Sequence, residues 1–426
     1  MDLIGALAAL VFCSGYFLIA LEQRFNTHKS AIALIMAGIL WLLAAIQGGE
    51  HFDEVVTHNA VDVLGVVAFS LASMALIEIL AHYRFFDWIR MQLMKLHLDD
   101  KGQFILMMAM TFFLSGFLDN ISLTISMILV ARKFFQGKNL LIAAAAVVIA
   151  ANGGGAWSPI GDVTSLLLWI SGKVTAWQLI STAFIPTAAL VATAGFLLYR
   201  QLSPADFIEH DKDEKVTLGL SEKVIIGSAL ISFILPLAFN SIGVQAFIGR
   251  LFGLGITWAL IELAKSKFTK RESHMSANIE KIIQSIDISS LTFIMGILLS
   301  VGALTSIGVL SYLSSIAVGA NPSHEWIVFL GSVLGLASGI VDNSALMAIS
   351  LQVFPITDPS LWGLIAITTG TGGSLLIFAS AAGVVAMGSL KQLDVKTYLK
   401  IGSLPAMAGL AVAIIVWIIQ DRIVNM

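Results

Sequence analysis

An aspartate followed by an asparagine occurs twice, each time in the middle of a long apolar run: Ser-Gly-Phe-Leu-Asp-Asn at 115–120 and Ser-Gly-Ile-Val-Asp-Asn at 338–343. Each pair is followed by a glycine-rich stretch in the next apolar run, Gly-Gly-Gly-Ala-Trp-Ser-Pro-Ile-Gly-Asp at 153–162 and Gly-Thr-Gly-Gly-Ser at 370–374. A motif duplicated together with its partner is an internal repeat. A carboxylate inside a membrane is costly enough to signal function, with a cation or a proton as its partner. Ser115 and Asp119, like Ser338 and Asp342, have the helical spacing that puts hydroxyl and carboxylate on one face. Asn120 and Asn343 each add an amide oxygen.

The first glycine stretch brings Asn152, Ser158, Asp162 and Thr164, and the second brings Thr371 and Ser374. Aligning Gly154-Gly155 on Gly372-Gly373 sets Asp162 opposite Ser380 and Thr164 opposite Ala382, so the first half is richer in oxygen ligands. The better-defined cation site is expected there. Asp342 and Asn343 would complete it or form a second, weaker one. The glycines are expected to break their helices, freeing carbonyls that replace the hydration shell of a small hard cation. Burial favours the protonated aspartate and a bound cation the ionised one, so proton and sodium compete for one group. Competition at a site presented alternately to each face is exchange. Asp119, with Asp342 or Asp162, is expected to carry it. Bland readings stand beside these: Asp119, Asp342, Asp162 and Thr164 as helix caps, and Ser115, Ser338 and Ser374 as small packing residues. Glu78, four before His82, is a snorkelling or locally paired residue, or else a proton relay.

These residues need elements to hold them. The chain is 58% hydrophobic and 12% charged, against about 25% charged for a soluble domain, which makes it an all-α polytopic membrane protein in a lipid bilayer. Its 24 basic and 27 acidic residues suggest no nucleic-acid partner, and the single cysteine, Cys13, excludes a disulfide framework. The first apolar run, with Asp2 ahead of it and no cleavage pattern, is expected to be a retained span. Apolar runs long enough to cross suggest about ten spans, two of them broken. Residues 1–82 would be mostly scaffold. Repeat 1, 83–200, would hold a hairpin at 104–131, a broken helix at 140–170 and a span at 176–199. A polar connector at 201–221 and scaffold spans at 222–265 follow. Repeat 2, 289–420, would hold a hairpin at 326–354, a broken helix at 361–387 and a span at 399–419. Runs 223–240 and 289–318 are each expected to be one span, and 84–98 an interfacial amphipathic helix.

Lysine and arginine collect on the cytoplasmic side. Arg24 and Lys29 place the first loop inside, Glu50, Asp53 and Glu54 lie outside, and Arg84 to Lys101 inside. Run 104–131 is flanked by Lys101 and by Arg132-Lys133, so it enters and leaves from inside. Run 326–354 has no lysine or arginine on either flank. Counted from the inner loop of Lys265, Lys267, Lys270 and Arg271, it opens outside. Two opposed re-entrant hairpins define an inverted-topology repeat.

With these strings in place, the chain resembles the NhaD type of bacterial sodium/proton antiporter, of the ion transporter superfamily, over nearly its whole length. That resemblance implies a dimerising scaffold and an elevator-like transport domain of two hairpins and two broken helices. It also implies Na+ or Li+ exchanged for H+ at Asp119, Asn120, Asp162, Asp342 and Asn343, with no cofactor, in a bacterial inner membrane. Dicarboxylate members carry Ser-Asn-Thr at the tips; Asp-Asn-Ile and Asp-Asn-Ser here add negative charge and disfavour an anion. An oxyanion or dicarboxylate carrier of the same superfamily is the second reading. An intramembrane aspartyl protease is remote, since the Tyr-Asp and Gly-x-Gly-Asp contexts are missing.

Overall fold

The computed structural model describes residues 1–20, 28–48, 52–95, 99–203, 218–267, 282 and 284–424. Arg24, Glu50, Lys270, Arg271 and most of the 201–221 connector lie outside them. Every regular element among the described residues is helical, as membrane burial of backbone polar groups demands. The first four are α1 (Leu3–Ala20), α2 (Lys29–Gln47), α3 (Phe52–His82) and α4 (Phe85–Lys95), the last being the expected amphipathic helix. Then come α5 (Asp100–Ser115), α6 (Asn120–Ala131), α7 (Gly137–Trp157), α8 (Val163–Ile170) and α9 (Ala176–Tyr199). The middle of the chain forms α10 (Leu220–Ser232), α11 (Leu235–Ser241), α12 (Ala246–Lys267), α13 (Ile288–Ile307) and α14 (Val309–Ala317). The rest forms α15 (His324–Ala337), α16 (Asn343–Val353), α17 (Pro359–Gly372), α18 (Ala381–Ser389), α19 (Val395–Tyr398) and α20 (Leu404–Val424).

Seven described helices are long and apolar enough to cross a membrane, or eight if the bent pair α10 and α11 is one span. Three expectations change. Run 223–240 bends by 40° between α10 and α11, where Pro236 begins a new helix and supplies no amide to the old one. Run 289–318 ends its first helix at Gly308, whose φ of 86° is a left-handed cap that glycine adopts without a Cβ clash. The glycines of 153–155 lie inside α7, and the break comes after them, at Ser158 to Asp162.

Those glycines serve close approach. A Cβ on Gly154 would stand 2.3 Å from the Phe112 carbonyl oxygen, and one on Gly372 2.1 Å from that of Gly335. So α5 lies directly against α7, and α15 against α17. The second arms cross over: α6 packs on α18, and α16 on α8. At the centre runs α7, where every residue from Ile142 to Ala151 is 0% exposed; its alanines let α5, α9 and α17 come close. Around this core, α3 and α13 join α1, α2, α10, α11 and α12 in a second layer.

Both hairpins bring their ends together. The rings of Phe104, at the start of the first, and Phe135, just past its end, lie 6.3 Å apart. At the second, His324 Nε2 and Ser360 Oγ reach opposite oxygens of Asp421 at 3.1 and 2.6 Å. Helix α20 relates the two mouths. Near its start, Gln201 donates to the Ile401 carbonyl, and Lys101 of α5 lies over the Tyr199 ring at the end of α9. Asp421 lies near its other end, some 30 Å away at 1.5 Å per residue.

A candidate ion site at two hairpin tips and two helix breaks

Each tip is built in the same way. Asp119 caps α6, its Oδ2 accepting from the amides of Ile121 and Ser122 at 3.2 and 3.3 Å. Asp342 caps α16, its Oδ1 accepting from Ser344 and Ala345 at 3.0 and 3.4 Å. Their backbones match, with φ and ψ of −54° and 132° against −51° and 132°. The capping reading and the functional one therefore concern the same atoms. Ser115 donates to the Ala151 carbonyl and Ser338 to that of Thr369, each at 2.6 Å, fastening each hairpin to its broken helix.

The two tips meet at one carboxylate. Asn120 Nδ2 donates to Asp162 Oδ1 and Asn343 Nδ2 to Asp162 Oδ2, both at 3.1 Å, from opposite halves of the chain. Thr164 Oγ1 and the Val163 amide add bonds of 2.8 Å from α8, whose first turn Asp162 caps. A helix start suits an anion, since its free amides and dipole point at it. Asn152, at the end of α7, ties in the second break: its Nδ2 donates to Ser374 Oγ and Ser380 Oγ at 2.9 Å, and its Oδ1 faces Asn120 Nδ2 at 3.4 Å. Asp119 and Asp342 each act electrostatically on Asp162, so like charges are gathered at one buried place. These side chains are buried, except that of Asp342, which is partly exposed.

Other candidates lie at the edge. Ser158 is buried at the end of α7, its hydroxyl 3.5 Å from the Ile160 amide. Thr371 donates 2.6 Å back to Ile367 within its own helix. Glu78, on α3, accepts from Ser285 at 3.2 Å and is not among the bonded groups of the cluster. Ser380, which enters the sequence reading only as the counterpart of Asp162, caps α18 and joins the network through Asn152.

Paired helix breaks with buried carboxylates define a multi-pass membrane transporter. The sequence model of CitMHS, described as citrate transporter, matches residues 16–383. The chain belongs to that family, and it belongs with the sodium/proton antiporters. It is 31% identical to Sodium/proton antiporter 1 of Arabidopsis thaliana, over 95% of this chain and 71% of that one. It is 28% identical to the Na(+)/H(+) antiporter NhaD of Vibrio cholerae, over 91% of this chain and 85% of that one. In fold it is similar to the crystal structure of the Alcanivorax borkumensis YdaH transporter, with a TM-score of 0.60 at 12% identity, covering 93% and 99% of the two chains.

Proposed function

We propose that the protein exchanges Na+ or Li+ for H+ at the cluster centred on Asp162, in a bacterial inner membrane. The observation that carries this is the convergence of Asn120 and Asn343, one from each half, on the two oxygens of Asp162. In this arrangement each asparagine gives a donor. Turned by half a rotation, each amide gives an oxygen instead, and the carboxylate with two amide oxygens becomes a cage for a small cation. A proton on the carboxylate removes the charge that the cation needs, so one cargo excludes the other.

Alternating access rests on an inverted repeat. The opposed hairpin mouths support that reading, and the basic residues beside the first put its mouth inside. A cavity of about 530 Å³ between α3, α8, α12, α13 and α16 includes His58, Asp62, Lys173 and Gln352. Further along α3, Met74 and Ala75 pack against Ile121, Ile286 and Leu291 in an apolar seal. With the start of α3 outside, this is an outward-open carrier sealed from the cytoplasm. The hairpins and broken helices would travel as a unit, elevator-fashion, past a scaffold that pairs with a second copy.

The family description favours citrate as a second reading. Asp119, Asp162 and Asp342 together oppose it, since an anionic substrate would meet like charge without water to screen it. The test is a pH-gradient assay in everted vesicles, adding sodium, lithium, potassium, citrate and arsenite in turn. Collapse of the gradient by sodium or lithium alone is expected. A response to citrate without sodium overturns the assignment, as does labelling that puts Lys101 and Arg132 on different faces.

A further inference from the structure

Arg250, one turn into α12, is fully buried. Among the described residues, none of its guanidinium nitrogens, Nε, Nη1 or Nη2, has a hydrogen-bond partner. The group lies between two rings, 4.4 Å from the centroid of Phe69 on α3 and 4.6 Å from that of Phe233 at the end of α10. Ring faces attract a cation, but they offset only part of the cost of taking a guanidinium out of water, and the remainder calls for an anion. Asp119 lies within electrostatic reach of it. The Asp162 carboxylate, of like sign, repels Asp119, and Arg250 attracts it. Phe69 also lines the outer cavity, which puts the guanidinium behind the cavity wall, on the same side as the approaching cargo.

Resting on the antiporter reading above, we propose that Arg250 is the built-in counter-cation of Asp119: standing on the scaffold, it holds the empty, anionic hairpin tip in place and releases it when a transported cation occupies the tip. An exchanger must not cross empty. A tethered positive charge meets that need, because an unloaded carboxylate stays attracted to the wall and a loaded one does not. The aromatic slot fits this role. It fixes the guanidinium without hydrogen bonds, so release requires only loss of charge at the tip and no broken bond.

The test is made on the full-length protein in sealed liposomes, following radioactive sodium efflux and luminal pH together. The parent chain is expected to move protons in fixed ratio to sodium. In Arg250→Gln and Arg250→Met, the second filling the aromatic slot without charge, sodium is expected to leave without its matching protons. Arg250→Lys is expected to restore the ratio. A parent-like ratio in the two uncharged variants, or loss of the ratio in Arg250→Lys as well, overturns the proposal. Failure of both uncharged variants to assemble, beside an Arg250→Lys protein that assembles and couples normally, assigns Arg250 to folding and overturns it too. A parent chain that moves no sodium against protons, and an Asp119→Asn chain no different from it, defeat the antiporter reading itself, and this inference falls with it.

Discussion

The two halves share a frame and differ in charge. Asp119 and Asp342 cap their helices with the same backbone geometry, Ser115 and Ser338 donate at the same distance, and Gly154 and Gly372 admit the same close approach. A Cβ added at the counterparts Gly155 and Gly373 would likewise stand 2.8 and 2.9 Å from the Cβ atoms of Asp162 and Ser380. At that position the symmetry ends: one half places a carboxylate at the start of the second helix and the other a hydroxyl. The halves present matched walls, and on the reading proposed above the unmatched residues, Asp162 against Ser380 with Thr164 against Ala382, decide where a cation would rest. Both tip asparagines turn to Asp162, whichever half they come from.

Exchanging the unmatched pair is the strongest way to break this comparison. Asp162→Asn is expected to lower sodium-driven proton movement in vesicles by more than about 100-fold, while Ser380→Ala lowers it by no more than the roughly 10-fold typical of an outer partner. Equal losses would make the halves equivalent in function as well as in form. Next, Asn120→Ala and Asn343→Ala are each expected to weaken sodium binding by about 10- to 100-fold, as read by calorimetry. A loss confined to Asn120 would move the site wholly into the first half. The frame itself should answer symmetrically. Gly154→Ala and Gly372→Ala drive a methyl group into a carbonyl on the facing hairpin, and each is expected to destabilise by about 1–3 kcal/mol in detergent melts. Smallest of all, Ser115→Ala and Ser338→Ala each lose one buried hydrogen bond, about 0.5–1.5 kcal/mol. An acidic shift sharpens the same picture: a proton on the cluster removes the charge that sodium needs, so the apparent sodium KM is expected to rise as pH falls in parent vesicles.

Much of this was legible in the residues because a membrane permits few exceptions. A carboxylate in an apolar run needs a reason, and that reasoning reached Asp119, Asp342 and the pairing of Asp162 with Ser380. The flanking charges of 104–131 pointed to a run whose ends meet, and Phe104 and Phe135 stand together. The glycines were harder to read. Glycine frees the backbone, yet it also lets two helices touch, and Gly153 to Gly155 stay helical for the second purpose. Gly308 and Pro236 broke runs that hydropathy alone joined. The role of Asp162 as the meeting point of both tips depends on contacts across the chain, which no local spacing encodes. Arg250 was within reach of the sequence, since it too is a charge inside an apolar run, at 242–263. A search confined to negative charge passes over it.

The caps at the two tips have a further consequence. The carboxylate oxygens that hold the first amides of α6 and α16 belong to the same groups that would greet an arriving ion. If the tips hold the ion as proposed, occupancy is written into the backbone, and hydrogen exchange at Ile121, Ser122, Ser344 and Ala345 is expected to be a silent gauge of whether the carrier is full, readable without following any flux.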